Sequence, residues 1–445
     1  MKFLHTADLH LGKVFHDHSL EEDQRRMLDE LVDIMAAPSY QALLIAGDVY
    51  DRSIPPPEAV SLLSAFLGKL KARRPELAVL ILPGNHDSAS RLGFGRELFR
   101  ELGIYFVTRP EDAFEPVLLP VTGDGAGAAC AFFLLPFLSA GSLRGEYTGL
   151  GAAEPLAGSF SLPTGTPSLP VEPPPLHAQG RLAEEAAARL ELARQRVLAK
   201  GAVYTVLGAH LFAAGGLESE SERVFLGQTE RVPISLFQGF DYVGLGHLHR
   251  FQQAGGNAWY SGSPLAYSFG EAEAYSFGEA SSAGAAGSGK AFLSVELGPG
   301  AGPGEAAVRV EPIPVRPLRR LWRLQGSFDH FFNQAEADPA LQELREDYLE
   351  IVLTDGGLVE NPLALLRSRF PWLLSVRQER AFAAMQAHGA LRQDGAAGGE
   401  RRSLAEDFED FLAEIYGRVD ADEARLFREL AALAEAGAGE GGEAV

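Results

Sequence analysis

Gly244-Leu245-Gly246-His247-Leu248-His249 follows directly on an apolar run that begins at Phe240. In extended backbone, residues two apart point to one face, so His247 and His249 can reach into a single cleft. The two glycines permit a tight backbone path ahead of them. Four earlier fragments share this character, each polar and each placed after an apolar run. They are Asp8-Leu9-His10, Gly47-Asp48-Val49-Tyr50-Asp51, Gly84-Asn85-His86-Asp87 and His210. The fold is decided by whether these five fragments meet.

The surrounding pattern says how they can. Residues 2–7 read as a strand ending at Asp8, 42–46 as a buried strand ending in Gly47-Asp48, and 77–82 as a third ending before Asn85. Between them, Leu20 to Met35 has the helical stripe Met27, Leu28, Leu31, Val32, Met35. Pro55-Pro56-Pro57 opens a second helix, with Val60, Leu63, Phe66, Leu67 and Leu70 in register. Strand–helix–strand–helix–strand implies an α/β layered core with ligands at the carboxyl ends of the strands. Apolar runs follow at 104–107, 116–121, 129–137, 203–207 and 242–245, and a helical stretch at 181–200. Gly141–Gly180 is rich in Pro, Gly, Ser and Thr and reads as an inserted loop. Ala-Tyr-Ser-Phe-Gly-Glu-Ala occurs at 266–272 and again at 274–280, and with the tract to Gly289 it reads as a second inserted loop. Gly298–Gly304 is a turn-rich domain edge, so the first domain is expected over 1–300. Residues 315–395 read as a smaller α/β unit, with a strand at 348–353, a helix at 362–370 and a strand at 372–376. A helical pair is expected over 400–435, its first member striped by Leu404, Phe408, Phe411, Leu412 and Ile415. The Gly/Glu-rich tail 436–445 reads as disordered.

The 445 residues carry a net charge of -21, of which 401–445 hold -7 (12 Asp and Glu against 5 Arg). Global acidity argues against non-specific nucleic-acid binding, but bound cations would change the local sign. The single cysteine, Cys130, sits in an apolar run and excludes a disulfide framework or thiolate-ligated zinc. No secretory h-region and no membrane-length apolar run is present, so the chain reads as cytoplasmic with no membrane partner.

Asp8, His10, Asp48, Asn85, His210, His247 and His249 together offer two carboxylates, one amide oxygen and four imidazoles. Mixed N/O ligation suits Mn²⁺, Fe²⁺ or Zn²⁺ more than Ca²⁺. Seven ligands exceed the needs of one ion and match two adjacent sites with a bridging carboxylate, an arrangement that serves phosphoester hydrolysis. His86, next to Asn85, would point to substrate and aid departure of the leaving oxygen. Asp51 would accept a hydrogen bond from His86, and Arg52 would contact a phosphate oxygen.

These motifs resemble those of the calcineurin-like metallophosphoesterases, which run D-x-H, G-D-x-x-D, G-N-H-D/E, H and G-H-x-H. A closer resemblance is to the SbcD family of bacterial nuclease subunits. It rests on residues 3–13 (Phe-Leu-His-Thr-Ala-Asp-Leu-His-Leu-Gly-Lys), on 240–249 and on Tyr260-Ser261-Gly262-Ser263-Pro264. The resemblance implies a layered β-sandwich flanked by helices, with a small α/β capping domain and C-terminal helices. It implies Asp8, His10, Asp48 and His249 around one ion and Asp48, Asn85, His210 and His247 around the other, with His86 catalytic and Mn²⁺ the metal. The implied substrate is DNA, cut as single-strand endonuclease and 3′ to 5′ double-strand exonuclease in end processing, repair and recombination. An SbcC-type ABC ATPase is the implied partner, bound through Phe408, Phe411 and Ile415, with a homodimer inside a heterotetramer. Two rivals stand beside this reading. One is a small-molecule phosphodiesterase or phosphatase, which needs neither cap nor helix pair. The other is a DNA-end tethering scaffold whose metals are structural. His5, at different parity from Asp8 and His10, reads as structural.

Overall fold

A computed structural model describes residues 1–121, 128–143, 179–213, 232–275, 289–300, 306–378, 408 and 425–428. Two compact units divide the chain: Met1–Arg323 with Glu346–Glu350, and Leu324–Arg345 with Ile351–Val445.

In the first unit the strands are β1 (Lys2–Thr6), the hairpin β2 (Val14–Phe15) and β3 (His18–Ser19), β4 (Ala42–Ala46), β5 (Ala78–Leu82), β6 (Ile104–Phe106), β7 (Val117–Pro120), β8 (Ala129–Leu135), β9 (Ala202–His210), β10 (Tyr242–Gly246), β11 (Gln252–Gly255), β12 (Ala258–Tyr260), β13 (Glu273–Tyr275), β14 (Ala291–Pro299) and β15 (Ala306–Pro314). One six-stranded sheet runs β15-β14-β1-β4-β5-β6 and a second runs β11-β12-β10-β9-β8-β7. Strands β1, β4, β5 and β6 are parallel, as are β8, β9, β10 and β12. All the carboxyl ends that carry the polar fragments therefore open at one rim of each sheet.

The sheets face each other across a shared core. Phe3 on β1 meets Phe132 on β8 and Tyr242 on β10 edge-to-face, at centroid distances of 5.2 and 5.5 Å. Leu44 and Leu80 from the first sheet join Val206 and Leu134 from the second in the same cluster. Helix α1 (Glu21–Met35) buries Met27, Leu28, Leu31, Val32 and Met35, and α2 (Pro57–Arg73) buries Leu62, Leu63, Phe66, Leu67 and Leu70. With helices as well as a second sheet to cover it, β4 is buried at every position. Short helices α3 (Ala89–Leu92) and α4 (Arg96–Glu101) follow the Asn85 loop. Helix α5 (Gln179–Ala199) packs Leu182, Ala186 and Leu190 onto the outer face of the second sheet, against Phe133, Leu207 and Val243. The architecture is the α/β sandwich with flanking helices that the sequence implied.

Two stretches behave differently from their composition. Rather than leaving the domain at 298–304, the chain returns as β15, paired antiparallel with β14 from Ala306↔Pro299 to Pro314↔Ala291. Alternating Val308 and Val310 pack on the core from this edge strand. The first copy of the duplicated heptapeptide is packed as well, with Tyr267 and Glu271 buried. Its second copy begins inside β13, and 276–280 lies outside the described residues.

The second unit contains the later parts of β16 (Leu321–Gly326) and β17 (Tyr348–Leu353), β18 (Leu373–Arg377), and the short helices α6 (Phe328–Asn333), α7 (Pro339–Glu343) and α8 (Pro362–Arg367). Ser327 caps α6 by accepting from His330 N, and Asp338 caps α7 by accepting from Ala340 N. Leu324, Phe331, Leu341, Ile351, Leu366 and Phe370 are among its buried apolar residues. Phe408 is helical and stacks on Phe427 with centroids 3.9 Å apart. Phe411 and Ile415, and most of the loop at 141–180, lie outside the described residues.

Candidate metal centre

Each fragment lies at a strand end. Asp8 and His10 follow β1, Asp48 follows β4, Asn85 and His86 follow β5, His210 closes β9, and His247 and His249 follow β10. The two sheets bring them together. His10 Nε2 lies 3.1 Å from His249 Nε2. Asn85 Oδ1 lies 3.0 Å from both His210 Nε2 and His247 Nδ1. Between these groups sits Asp48, whose Oδ2 is 3.8 Å from His10 Nε2 and 3.5 Å from His210 Nε2. Its other oxygen accepts from His86 N at 2.9 Å. Asp8 accepts from His247 N at 3.1 and 3.2 Å. Three triads each have ligand atoms within 4.8 Å of one another: Asp8, His10, His249; Asp8, Asp48, His210; and His10, Asp48, His86.

The backbone is bent to achieve this. Among the described residues, seven non-glycine positions have positive φ, and four of them are Asp8 (55°), His10 (44°), Asp48 (47°) and His247 (106°). Such conformations cost roughly 1–3 kcal/mol each and persist where surrounding structure imposes them. His247 thus stands past the end of β10 in left-handed backbone, and from this turn its Nδ1 reaches Asn85 Oδ1 at 3.0 Å. Glycine makes room: a Cβ on Gly84 would fall 2.1 Å from Asp48 Oδ1, and one on Gly246 would fall 1.9 Å from Ala46 O.

The protonation pattern fits cation ligands. Burial lowers the pKa of His10 to about 4, although Asp51 and Asp48 act against it, and lowers that of His247 to about 3. Burial also lowers that of His210, with Asp48 opposing. For Asp48, burial disfavours the charged form but His210, His10 and His86 outweigh it, and the pKa falls to about 2. The result is neutral imidazoles around an ionised carboxylate at neutral pH. His210 Nδ1 donates to Ala46 O at 3.0 Å, which turns the Nε2 lone pair toward the oxygens of Asn85 and Asp48. Lone pairs facing lone pairs in a buried site are repulsive unless a cation lies among them. His247 Nε2 is also buried without a hydrogen-bond partner among the described residues. A nitrogen- and oxygen-rich, sulfur-free donor set of this kind fits borderline divalent ions.

The remaining residues fall as follows. His86 Nδ1 donates to the Asp51 backbone carbonyl at 2.9 Å, so the main chain and not the Asp51 carboxylate takes this bond. That carboxylate instead accepts from Lys13 Nζ at 2.8 Å and lies 3.4 Å from His10 Nδ1. Arg52 is two-thirds exposed, its Nε 3.7 Å from Asp51 Oδ2. His5 is buried against Tyr242 OH at 2.9 Å, on the core side.

Asp87 has a part that its motif did not announce. Its carboxylate accepts from the backbone N–H groups of Val49, Tyr50 and Gly84 at 2.9–3.0 Å and so ties the Asp48 loop to the Asn85 loop. Burial and the Asp48 charge raise its pKa to about 7 against those three donors. The sequence signal was its place as the last residue of the G-N-H-D/E motif, which says nothing of the three backbone donors.

Residues 1–146 match the calcineurin-like phosphoesterase family, a span that contains Asp8, His10, Asp48, Asn85 and His86. The chain is 27% identical over 381 residues to the D subunit of the SbcCD nuclease of Staphylococcus saprophyticus, covering 85% of each chain. The crystal structure of TT1561 of Thermus thermophilus aligns with 14% identity and a TM-score of 0.32 over 59% of this chain and 89% of that one. Residues 1–146 are thus similar to the calcineurin-like phosphoesterases, and the chain resembles the D component of the SbcCD nuclease over most of its length.

Proposed function

We propose that this metal-dependent phosphoesterase is a DNA nuclease subunit that works with an SbcC-type ATPase. The observation that carries the reading is Asp48 Oδ2, poised between His10 Nε2 and His210 Nε2 with the other ligand candidates on either side. Asp8, His10, Asp48 and His249 hold one ion in this reading, and Asp48, Asn85, His210 and His247 the other, with Mn²⁺ as the metal. When bound, such a pair polarises the phosphodiester and acidifies water.

The chain's own groups do the rest. The Ala46 carbonyl and the Asp87 clamp hold the loops so that no reorganisation accompanies substrate binding. His86, fixed through Nδ1, would act in its doubly protonated form, the other nitrogen giving its proton to the departing sugar oxygen and leaving the neutral ring on the Asp51 carbonyl. Asp51 keeps Lys13 beside His10, and exposed Arg52 meets a backbone phosphate. The likeness to a component of the SbcCD nuclease supports DNA over a small substrate. The Phe408 helix is the proposed ATPase contact, and the exposed apolar side chains of Ile54, Phe94 and Leu98 offer a surface for a second copy. Among the described residues no helix is long and apolar enough to cross a membrane.

The test is to assay purified protein with Mn²⁺, with and without its ATPase, on linear and single-stranded DNA, bis-p-nitrophenyl phosphate and cyclic nucleotides. DNA cleavage that strengthens or changes mode with the ATPase and ATP supports the proposal. Turnover of small molecules alone removes it.

A further inference from the structure

Beside the metal centre lies a buried ion pair that none of the five motifs contains. Glu271 closes the short 3-10 turn Phe269–Glu271, and Lys290 immediately precedes β14. Both side chains are almost wholly removed from solvent. We propose that Glu271 and Lys290 are positioning residues that clamp His249 and aim its Nε2 into the site, an inference that rests on the metal-centre reading above.

The hydrogen bonds make the case. Lys290 Nζ has three protons and three acceptors: His249 O at 2.9 Å, Ser263 Oγ at 2.7 Å and Glu271 Oε2. Glu271 Oε1 accepts from Ser268 Oγ at 2.7 Å and lies 3.4 Å from His249 Nδ1, which donates to it. His249 is therefore held at two points, its ring by the carboxylate and its carbonyl by the ammonium. With Nδ1 carrying the proton, Nε2 is the nitrogen turned toward His10, at 3.1 Å. A buried Lys–Glu pair is expensive to desolvate, and an apolar pair of similar volume is often at least as stabilising. Here both partners contact the same histidine, so the pair does something that an apolar pair cannot. Carboxylates behind metal-bound histidines fix the tautomer and ring orientation, and their loss typically weakens metal binding about 10–100-fold.

The duplicated heptapeptide supplies an internal control, because Glu279 is the sequence counterpart of Glu271 in the second copy. The experiment is calorimetric titration of the full chain with Mn²⁺ alone, alongside thermal unfolding in chelator. Wild type, H249A, E271Q, E271D and E279Q are compared. E271D keeps the charge opposite Lys290 but withdraws the carboxylate from Nδ1, and it serves if E271Q folds poorly. The expected result is that E271Q and E271D weaken one of two binding events about 10–100-fold, in the same event that H249A abolishes, while E279Q binds like wild type. Wild-type Mn²⁺ affinity in E271Q and E271D, with only the unfolding temperature lowered, overturns the clamp and leaves the metal centre standing. The clamp also falls if E279Q is the weakened variant. Failure of wild type itself to bind Mn²⁺ overturns both the clamp and the reading beneath it.

Discussion

His10 Nε2 and His249 Nε2 stand 3.1 Å apart, although 239 positions separate the two residues in the chain. The His249 Nδ1 hydrogen bond to Glu271 leaves Nε2 as the lone pair facing His10, and Asp48 Oδ2, 3.8 Å from His10 Nε2, brings further lone pairs to the same spot. A divalent cation removes the conflict and binds only the folded chain. Mn²⁺ at one hundred times its Kd should therefore stabilise the fold by about 2.7 kcal/mol per independent site. Thermal unfolding with Mn²⁺ and with chelator checks this, and H10A and H249A should show a smaller rise. An unfolding temperature indifferent to Mn²⁺ would contradict the metal centre.

His86 should separate binding from chemistry. Its ring is anchored by the Asp51 carbonyl, 2.9 Å from Nδ1, which leaves proton transfer to the other nitrogen. H86A is expected to lower kcat for DNA cleavage by about 10²–10⁴ while Mn²⁺ affinity changes only a few-fold. His86 also falls in one triad with His10 and Asp48. Loss of an ion together with activity would make it a ligand and not a proton donor.

Much of this was readable from the chain because strand ends are readable. The apolar runs that became β1, β4, β5, β9 and β10 each stop at a polar fragment, and parallel order places those ends on one rim. What could not be read depends on contacts without a local signature. Glu271 lies in a short duplicated heptapeptide, and its partners, His249 and Lys290, are 22 and 19 residues away. His247 arrives through a φ of 106°, whereas alternation along a strand would have sent it by another route. Asp51 turned its main-chain carbonyl to His86, and no side-chain pattern encodes that choice.

Glycine content offers a third check, through a contrast between two positions. A Cβ on Gly84 would lie 2.1 Å from Asp48 Oδ1 and 2.4 Å from Asp48 N, so the backbone itself must move. G84A should destabilise the chain by more than about 2 kcal/mol and displace Asp48 from the centre. Gly68, exposed on α2, has open space around its missing Cβ, and G68A should stabilise by about 0.4–1 kcal/mol. Denaturant unfolding and Mn²⁺ titration of the pair measure both effects. Equal behaviour of the two variants would contradict the packing described around Asp48.

His5 predicts how the fold responds to acid. Burial between the sheets lowers its pKa to about 3, against a backbone hydrogen bond that favours the charged form. The unfolded chain, with a histidine pKa near 6.5, takes up a proton that the folded chain refuses at any pH between about 3 and 6.5. Stability must therefore fall as pH drops through that window, because the unfolded state binds more protons. Between about pH 6.5 and 4.5 the contribution of this one residue is about 2 kcal/mol. H5Q retains a polar group for Tyr242 OH and has no such proton to refuse. In chelator, its stability should fall less steeply than that of wild type over this interval, by about that amount. Parallel pH profiles for H5Q and wild type would mean that His5 takes its proton inside the fold, contrary to its burial.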